Sequence, residues 1–126
     1  MTMRNELNDC IKTWEPGTNG QFQASLRFPP SCVFFEGHFP DAPIVPGVVQ
    51  LEILRILLER CCGASCRLLA GTNMKFFRPI MPDETLLLAG SYQYASEKSI
   101  ALEARLRWNE SKVSEFKLVF EMLPNA

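Results

Sequence analysis

The chain has 126 residues, of which 47% are apolar and 21% charged, and its formal net charge at pH 7 is −1. This length predicts a single domain over residues 1–126 with one core, and the nearly balanced charge argues against a nucleic-acid-binding surface. No apolar run approaches the roughly 18 residues that a membrane span needs. Residues 1–10 lack the apolar segment of a secretory signal, so we expect a cytoplasmic protein.

The cysteines are odd in number, and none forms a Cys-x-x-Cys pair: Cys10, Cys32, Cys61, Cys62 and Cys66. The last three are close enough in sequence to raise the possibility of a metal site. A fourth ligand is hard to find, however, because the sequence has one histidine and that residue lies in a different motif. We therefore expect free, mostly buried thiols in a reducing compartment, and no metal.

The first third of the chain predicts short elements. A helix is predicted over residues 3–14, because apolar residues recur there at helical spacing: Leu7, Cys10, Ile11 and Trp14. Residues 15–20 are turn formers. Strict alternation over residues 21–28 predicts a half-buried strand. The apolar run 33–35 is interpreted as a second, short strand.

The rest of the chain predicts one long helix followed by strands. Residues 48–61 are apolar around most of a helical circumference, which is typical of a central helix wrapped on several sides, and Gly63 is a suitable C-terminal cap. Four strands are predicted after it, over residues 66–77, 85–95, 99–108 and 113–122. This order predicts an α+β fold in which a curled antiparallel sheet of sequential strands wraps around one long central helix.

Chemistry-bearing residues concentrate just before and inside that helix. His38 lies between the helix breakers Gly37 and Pro40. Further along, Pro46 holds the preceding chain extended and opens the helix. Glu52 follows among apolar residues, where a carboxylate is costly to bury unless it is paired or protonated. The stretch therefore offers a base that titrates near neutrality and a possible acid.

Each of these residues also has a structural interpretation. A single histidine is more often structural than catalytic. Glu52 can form an ion pair with Arg55 one helical turn away, and with Glu59 these residues follow i, i+3, i+7 spacing along one stripe. The Pro46-Gly47 step is also an ordinary start of a helix. The residues alone leave these alternatives open.

The motifs together resemble those of a known family. The run Gly37-His38-Phe39-Pro40, then Pro43, Pro46-Gly47-Val48 and Glu52, resembles the signature of hot-dog-fold 3-hydroxyacyl-(acyl-carrier-protein) dehydratases. The separation of fourteen residues between His38 and Glu52 fits that family. Downstream, the run from Met74 to Asp83 is similar to the family's basic and aromatic Arg-Pro-x-x-Pro run. The resemblance covers most of the chain from Gln21 onward.

The resemblance implies a hot-dog domain that removes water from 3-hydroxyacyl thioesters to give trans-2-enoyl thioesters in fatty-acid-like or polyene lipid biosynthesis. It implies His38 as the base and Glu52 of a partner chain as the acid, within a homodimer or higher homo-oligomer. It further implies substrate contacts by Gly47, Val48, Phe39, Phe76 and Arg78. No cofactor is implied beyond the phosphopantetheine of the acyl carrier protein, which is the implied partner.

Two residues beside the acid depart from the family pattern. Ile56 stands where the family often has glutamine, and Arg55 where it usually has a small residue. These departures predict a specialised branch, and they keep open a hot-dog acyl thioesterase or a non-catalytic acyl-carrier-binding subunit. Two further sets of residues have two interpretations each. The basic residues are contacts for the carrier protein or ordinary surface charges: Arg55, Arg60, Lys75 and Arg78. The apolar residues line the site of the acyl chain or only belong to the core: Phe34, Phe35, Phe39, Phe76, Phe77 and Ile80.

Overall fold

The computed structural model describes residues 3–35 and 43–124. Two α-helices and six β-strands make up this part of the chain: α1 (Met3–Cys10), β1 (Ile11–Pro16), β2 (Gln21–Arg27), α2 (Gly47–Cys62), β3 (Cys66–Phe76), β4 (Thr85–Tyr94), β5 (Ser99–Trp108) and β6 (Ser111–Met122). Every pair of neighbouring strands is antiparallel. None of the helices in these described ranges is long and apolar enough to cross a membrane.

The sheet has the order β1-β2-β4-β5-β6-β3. The expected sequential arrangement is therefore correct for β4 to β6 and wrong for β3. β3 follows α2 in the chain but lies at the edge of the sheet, beside β6. The predicted alternation is confirmed on the inner face, where Leu26, Leu102 and Phe120 are buried. The fold is the expected hot-dog arrangement, in which a curled sheet packs around a long apolar helix.

Two predictions of local structure were wrong. The expected first helix ends at Cys10, and residues 11–16 form β1, which pairs with β2. β-branched and aromatic side chains such as Ile11 and Trp14 favour a strand once a partner strand is available. Residues 33–35 form a 3₁₀ turn, in which the Phe35 N–H donates to the Cys32 carbonyl. Short apolar runs do not distinguish strands from turns or helices by periodicity.

The long helix matches its prediction closely. It begins at Gly47 and ends at Cys62, and Gly63 caps it with a left-handed φ of 69°. The Gly63 N–H donates to the Glu59 carbonyl over 2.8 Å. Most of the circumference is buried against the sheet, including Ile53, Leu54 and Leu57. In the polar stripe that the sequence predicts, Glu52 and Arg55 are partly exposed, whereas Glu59 is buried.

Candidate active site

The N-terminal end of α2 presents backbone donors to a cleft. Pro46 is extended, with φ −61° and ψ 149°, and caps the helix without a side-chain hydrogen bond. The Val49 and Gln50 N–H groups both donate hydrogen bonds to the Pro46 carbonyl. The first amides of a helix have no carbonyl partner within it and carry a partial positive charge. The amides of Gly47 and Val48 therefore suit an oxygen atom of a ligand.

This end of α2 borders a cleft of about 420 Å³, which we call the aromatic groove; it is lined by Ile44, Val45, Pro46, Gly47, Gln50, Phe76, Phe77, Arg78 and Pro79. Phe76 and Phe77 are 50% and 48% exposed. A Cβ on Gly47 would lie 3.1 Å from the Phe76 ring, so glycine allows the ring to approach the helix. The groove thus combines apolar walls with helix donors.

The phenylalanines with an open interpretation divide into two groups. Phe76 and Phe77 line the aromatic groove, and Phe76 packs edge-on against Phe116 at 5.6 Å between ring centres. Phe34 and Phe35, like Ile80, are buried in the core. The groove-lining interpretation therefore suits Phe76 and Phe77, while the core interpretation holds for Phe34, Phe35 and Ile80.

Gln50, which lines the groove, belongs to a buried polar pair that the sequence does not predict. Gln50 is 4% exposed, and its Oε1 accepts a hydrogen bond of 2.8 Å from the Ser114 hydroxyl, which is fully buried. Ser114 lies on β6 directly opposite Phe76 on β3. The available signal was an amide side chain at a helix position whose neighbours, Val49 and Ile53, are apolar core residues.

Glu52 belongs to a second polar group, which we call the α2 ion-pair network: Arg4, Glu52, Arg55 and Glu59. Arg55 forms a two-armed contact with Glu52, including a hydrogen bond of 3.0 Å from Nε to Oε2. It also donates to Glu59 Oε2 over 3.2 Å. Glu59, with a nearly buried side chain, accepts from Arg4 over 2.6 Å and from the Cys66 N–H over 2.8 Å.

The network confirms the predicted stripe along α2 and the Glu52–Arg55 pair. The pKa of Arg55 is raised, chiefly by its hydrogen bonds to Glu52, with burial acting in the opposite direction. Glu52 and Arg55 keep about a third of their side-chain surface exposed, so solvent screens their attraction. In this chain, then, the proposed acid has a cationic partner on its own helix.

Arg78 lines the groove but is held by its own chain. Its two terminal nitrogens donate to Glu84 over 3.2 and 2.7 Å. Its guanidinium stacks on Trp108, 4.6 Å from the ring centre. Arg60 similarly contacts Asn8 and the Trp14 ring. These arginines therefore stabilise their local structure, and any contact with a carrier protein would use the remaining exposed surface.

The cysteines show no sign of nucleophilic or metal chemistry. All five are free thiols, and Cys10, Cys32 and Cys66 are buried. Burial raises the pKa of Cys66 to about 12 and that of Cys61 to about 11, so both remain protonated near neutral pH. Among the residues that the structure describes, no group of three or more His, Cys, Asp and Glu side chains is placed to hold a metal ion.

His38 and Phe39, the remaining predicted site residues, lie outside the described residues. Both ends of their segment are fixed in the structure. Phe35 is buried before it. After it, the Val45 N–H donates to the Ile80 carbonyl over 2.9 Å. The chain therefore re-enters the described structure at the aromatic groove.

β3 forms an unusually exposed edge of the sheet. Its last ten residues are all exposed, although several are large and apolar: Leu68, Leu69, Met74 and Phe76. Two irregularities interrupt its pairing with β6. An edge strand with apolar side chains is a ready surface for pairing with another chain.

Comparisons with known proteins agree on the family. A family model described as ApeI dehydratase matches residues 14–117. The 3-hydroxyacyl-(acyl-carrier-protein) dehydratase FabZ of Protochlamydia amoebophila is 37% identical over 93 residues, which are 69% of this chain and 60% of that protein. The FabZ of Chlamydia muridarum is 33% identical, with 65% of its length covered. This chain thus spans less than two thirds of the length of these relatives.

A solved structure supports the fold. A chain of the dehydratase heterocomplex ApeI:P from Xenorhabdus doucetiae superposes with a TM-score of 0.78 at 22% identity, covering 88% of this chain and 96% of that one. The family model extends over most of the chain, including the long helix and the aromatic groove. The chain therefore belongs to the ApeI-like dehydratase family.

Proposed function

We propose that this protein dehydrates 3-hydroxyacyl thioesters carried on an acyl carrier protein to trans-2-enoyl thioesters, in fatty-acid-like or polyene lipid biosynthesis. The observation that supports this most strongly is the match of residues 14–117 to a dehydratase family, because that range includes the motif residues His38, Gly47 and Glu52. We further propose that the chain acts as one hot-dog domain over residues 1–126.

The proposed reaction assigns one role to each motif residue. His38 takes the α-proton from C2, and the electron pair of that C–H bond forms the C2=C3 double bond. Glu52 donates a proton to the departing 3-hydroxyl, which leaves as water. The amide of Gly47 donates to the thioester oxygen, where negative charge develops. The helix N-terminus at Gly47 supports this last role electrostatically.

The apolar walls of the aromatic groove suit the acyl chain. Phe76 and Phe77 supply exposed ring faces, and Val48 is exposed at the same end of α2. Phe39, which lies outside the described residues, stays a proposed substrate contact on the motif alone. Arg78 is proposed to contribute its exposed surface to binding of the phosphopantetheine arm, while Glu84 and Trp108 hold its guanidinium. The reaction as proposed needs an acid, a base and hydrogen-bond donors.

We propose that two copies of the chain share each site. The exposed apolar edge of β3 supports this, because pairing it with a second copy would bury the side chains that it presents. Glu52 also supports it, since the side chain lies on the partly exposed stripe of α2, where a neighbouring chain can reach it. We place the protein in the cytoplasm, where its five free thiols would stay reduced.

A non-catalytic subunit that binds acyl carrier substrates is the second candidate. The observation that favours it is the two-armed contact of Arg55 with Glu52, because it occupies both oxygens of the carboxyl group that the reaction would use as its acid. A thioesterase of the same fold would instead hydrolyse the thioester.

One assay separates these functions. The purified protein is incubated with a 3-hydroxyacyl carrier thioester, while enoyl absorbance and free thiol are followed together. Dehydration predicts enoyl formation without thiol release, and its loss in His38→Ala. Thiol release would identify a thioesterase. Binding of the carrier thioester without either product, by wild type as a purified oligomer, would identify the binding subunit and contradict the proposed reaction.

A further inference from the structure

We propose that Gln50 is a substrate-binding residue whose side-chain amide donates a hydrogen bond to the carbonyl oxygen of the bound thioester, beside the Gly47 amide. This inference rests on the proposed function, because it takes the aromatic groove as the thioester site. It adds a side-chain donor that the motif residues do not include. It also assigns Ser114 as the residue that orients this donor.

The first argument is the cost of burying an amide. Gln50 is 4% exposed, and the other buried residues of α2 are apolar except Glu59, which has two arginine partners. Burying a polar side chain is unfavourable unless its groups are hydrogen-bonded. An apolar residue would fill this position in the core at lower cost. A glutamine here therefore needs a further role, and it lines the same groove as Gly47.

The second argument is orientation. The Ser114 hydroxyl donates to Gln50 Oε1, so the oxygen end of the amide is engaged by β6. A glutamine has two N–H donors at the opposite end of its amide. Fixing the oxygen therefore fixes the direction of these donors as well. Ser114 is fully buried, which protects this hydrogen bond from competition by water.

The third argument is position on the helix. Gln50 follows Gly47 by three residues, so the two lie on the same side of α2. Helical side chains point back toward the N-terminus, which directs the Gln50 amide toward the Gly47 end. Phe76 joins the two positions, since its ring touches Gly47 and its backbone lies opposite Ser114. A carbonyl oxygen at the groove floor would thus meet two donors.

The test uses variants that preserve the core. Gln50→Leu alone would leave the buried Ser114 hydroxyl without its acceptor, so it is combined with Ser114→Ala. Removing both partners of a buried hydrogen bond is close to neutral for stability. Gln93→Leu, an exposed position on β4, is the matched control. Thermal unfolding of wild type and of each variant establishes that each is folded.

Turnover is the first readout. Loss of one donor to a developing oxyanion lowers kcat by about 10²-fold, and we expect that loss in the double variant. Gln93→Leu should retain wild-type turnover. Ser114→Ala alone should cause a smaller loss, because the donor remains but is less well oriented. Wild-type kcat in the folded double variant would overturn the inference.

Binding is the second readout, and it does not depend on turnover. Two unreactive ligands are compared: an acyl-pantetheine with an amide in place of the thioester, and the matching thioether with no carbonyl. We expect about five-fold weaker binding of the amide by the double variant, from the loss of one neutral hydrogen bond. Binding of the thioether should be unchanged.

The two readouts separate this inference from the proposed function. If wild type fails to dehydrate the substrate, but the double variant binds the amide ligand more weakly than wild type and the thioether equally well, the proposed reaction is wrong and the role of Gln50 stands. Equal loss for both ligands would show that Gln50 only shapes the groove, and it would overturn the inference. Failure of wild type to bind either ligand would also overturn it.

Discussion

The aromatic groove and the α2 ion-pair network lie on the same helix, but their polar groups find partners in different ways. In the network, Arg55 contacts Glu52 and Glu59, and Glu59 also accepts from Arg4 and the Cys66 amide. In the groove, the first amides of α2 have no partner within the helix, and the hydrogen bond that holds Gln50 among the described residues is made to its oxygen. The groove thus offers donors to a ligand, whereas the network is satisfied by the chain itself.

This difference bears on how the proposed site is assembled. Gln50 and Glu52 are two residues apart, so they point to nearly opposite sides of the helix. The oxygen-binding groove and the proposed acid therefore face away from each other within one chain. A site that uses both groups is more readily built from two copies, one presenting its groove and the other its polar stripe.

The largest effect should come from the proposed acid. Glu52→Gln should lower kcat by about 10²- to 10⁴-fold, because an amide cannot donate the proton that the departing hydroxyl needs. The matched variant is Glu59→Gln, one member of the same network with a more buried side chain. It should lower the thermal stability and retain most activity. Equal losses of activity in both variants would show that the network acts only through stability.

The two-copy arrangement predicts an effect on assembly. Leu69→Asp places a charge on the exposed apolar edge of β3 and should dissociate the oligomer, with a parallel loss of turnover. Leu87→Asp is the control, since Leu87 is similarly exposed but lies on β4 inside the sheet. Sedimentation equilibrium and turnover at matched concentrations measure both effects. A monomeric wild type with full activity would contradict the shared site.

The groove end of α2 should be sensitive to a single methyl group. Gly47→Ala adds a Cβ that would lie 3.1 Å from Phe76 and should lower kcat/KM by about ten-fold through displacement of the ring. Gly63→Ala, at the other end of α2, is the contrasting variant. Its φ of 69° makes alanine unfavourable by about 1 kcal/mol. It should lower stability without affecting turnover, and the reverse pattern would contradict the assignment of the groove.

The smallest effect concerns Arg55. Arg55→Met removes the two-armed contact with Glu52 and the hydrogen bond to Glu59. Stability should fall by about 1 kcal/mol, because Glu59 loses one of its hydrogen bonds. Turnover should be retained, because Arg55 takes no part in the proposed proton transfers. Thermal unfolding and turnover measure these effects, and a loss of turnover as large as that of Glu52→Gln in the folded variant would show that Arg55 belongs to the active site.

Local pattern was enough to predict the long elements. The apolar circumference of α2 and its glycine cap fixed that helix to within one residue at each end. The alternation of β5 and β6 identified their buried faces. β1 was misassigned because Ile11 and Trp14 suit either period, and its strand form depends on pairing with β2. The pairing of β1 with β2 depends on tertiary contacts, which the local sequence pattern does not contain.

Contacts between distant elements set the rest of the site. Gln50 and Ser114 are 64 positions apart in sequence, so their hydrogen bond follows from the packing of α2 on β6. The sequence alone did not determine whether Arg55 extends into solvent or pairs with Glu52, because this too depends on contacts between distant elements. Its guanidinium also donates to the Cys66 carbonyl at the start of β3, a contact that exists only in the folded chain.

The most direct test of the shared site is complementation between two inactive variants. His38→Ala and Glu52→Gln are each purified, shown to be inactive, then mixed, unfolded and refolded together. If His38 of one copy works with Glu52 of the other, each mixed dimer regains one intact site, and random pairing restores about one quarter of wild-type activity. No recovery of activity in verified mixed dimers would contradict the account.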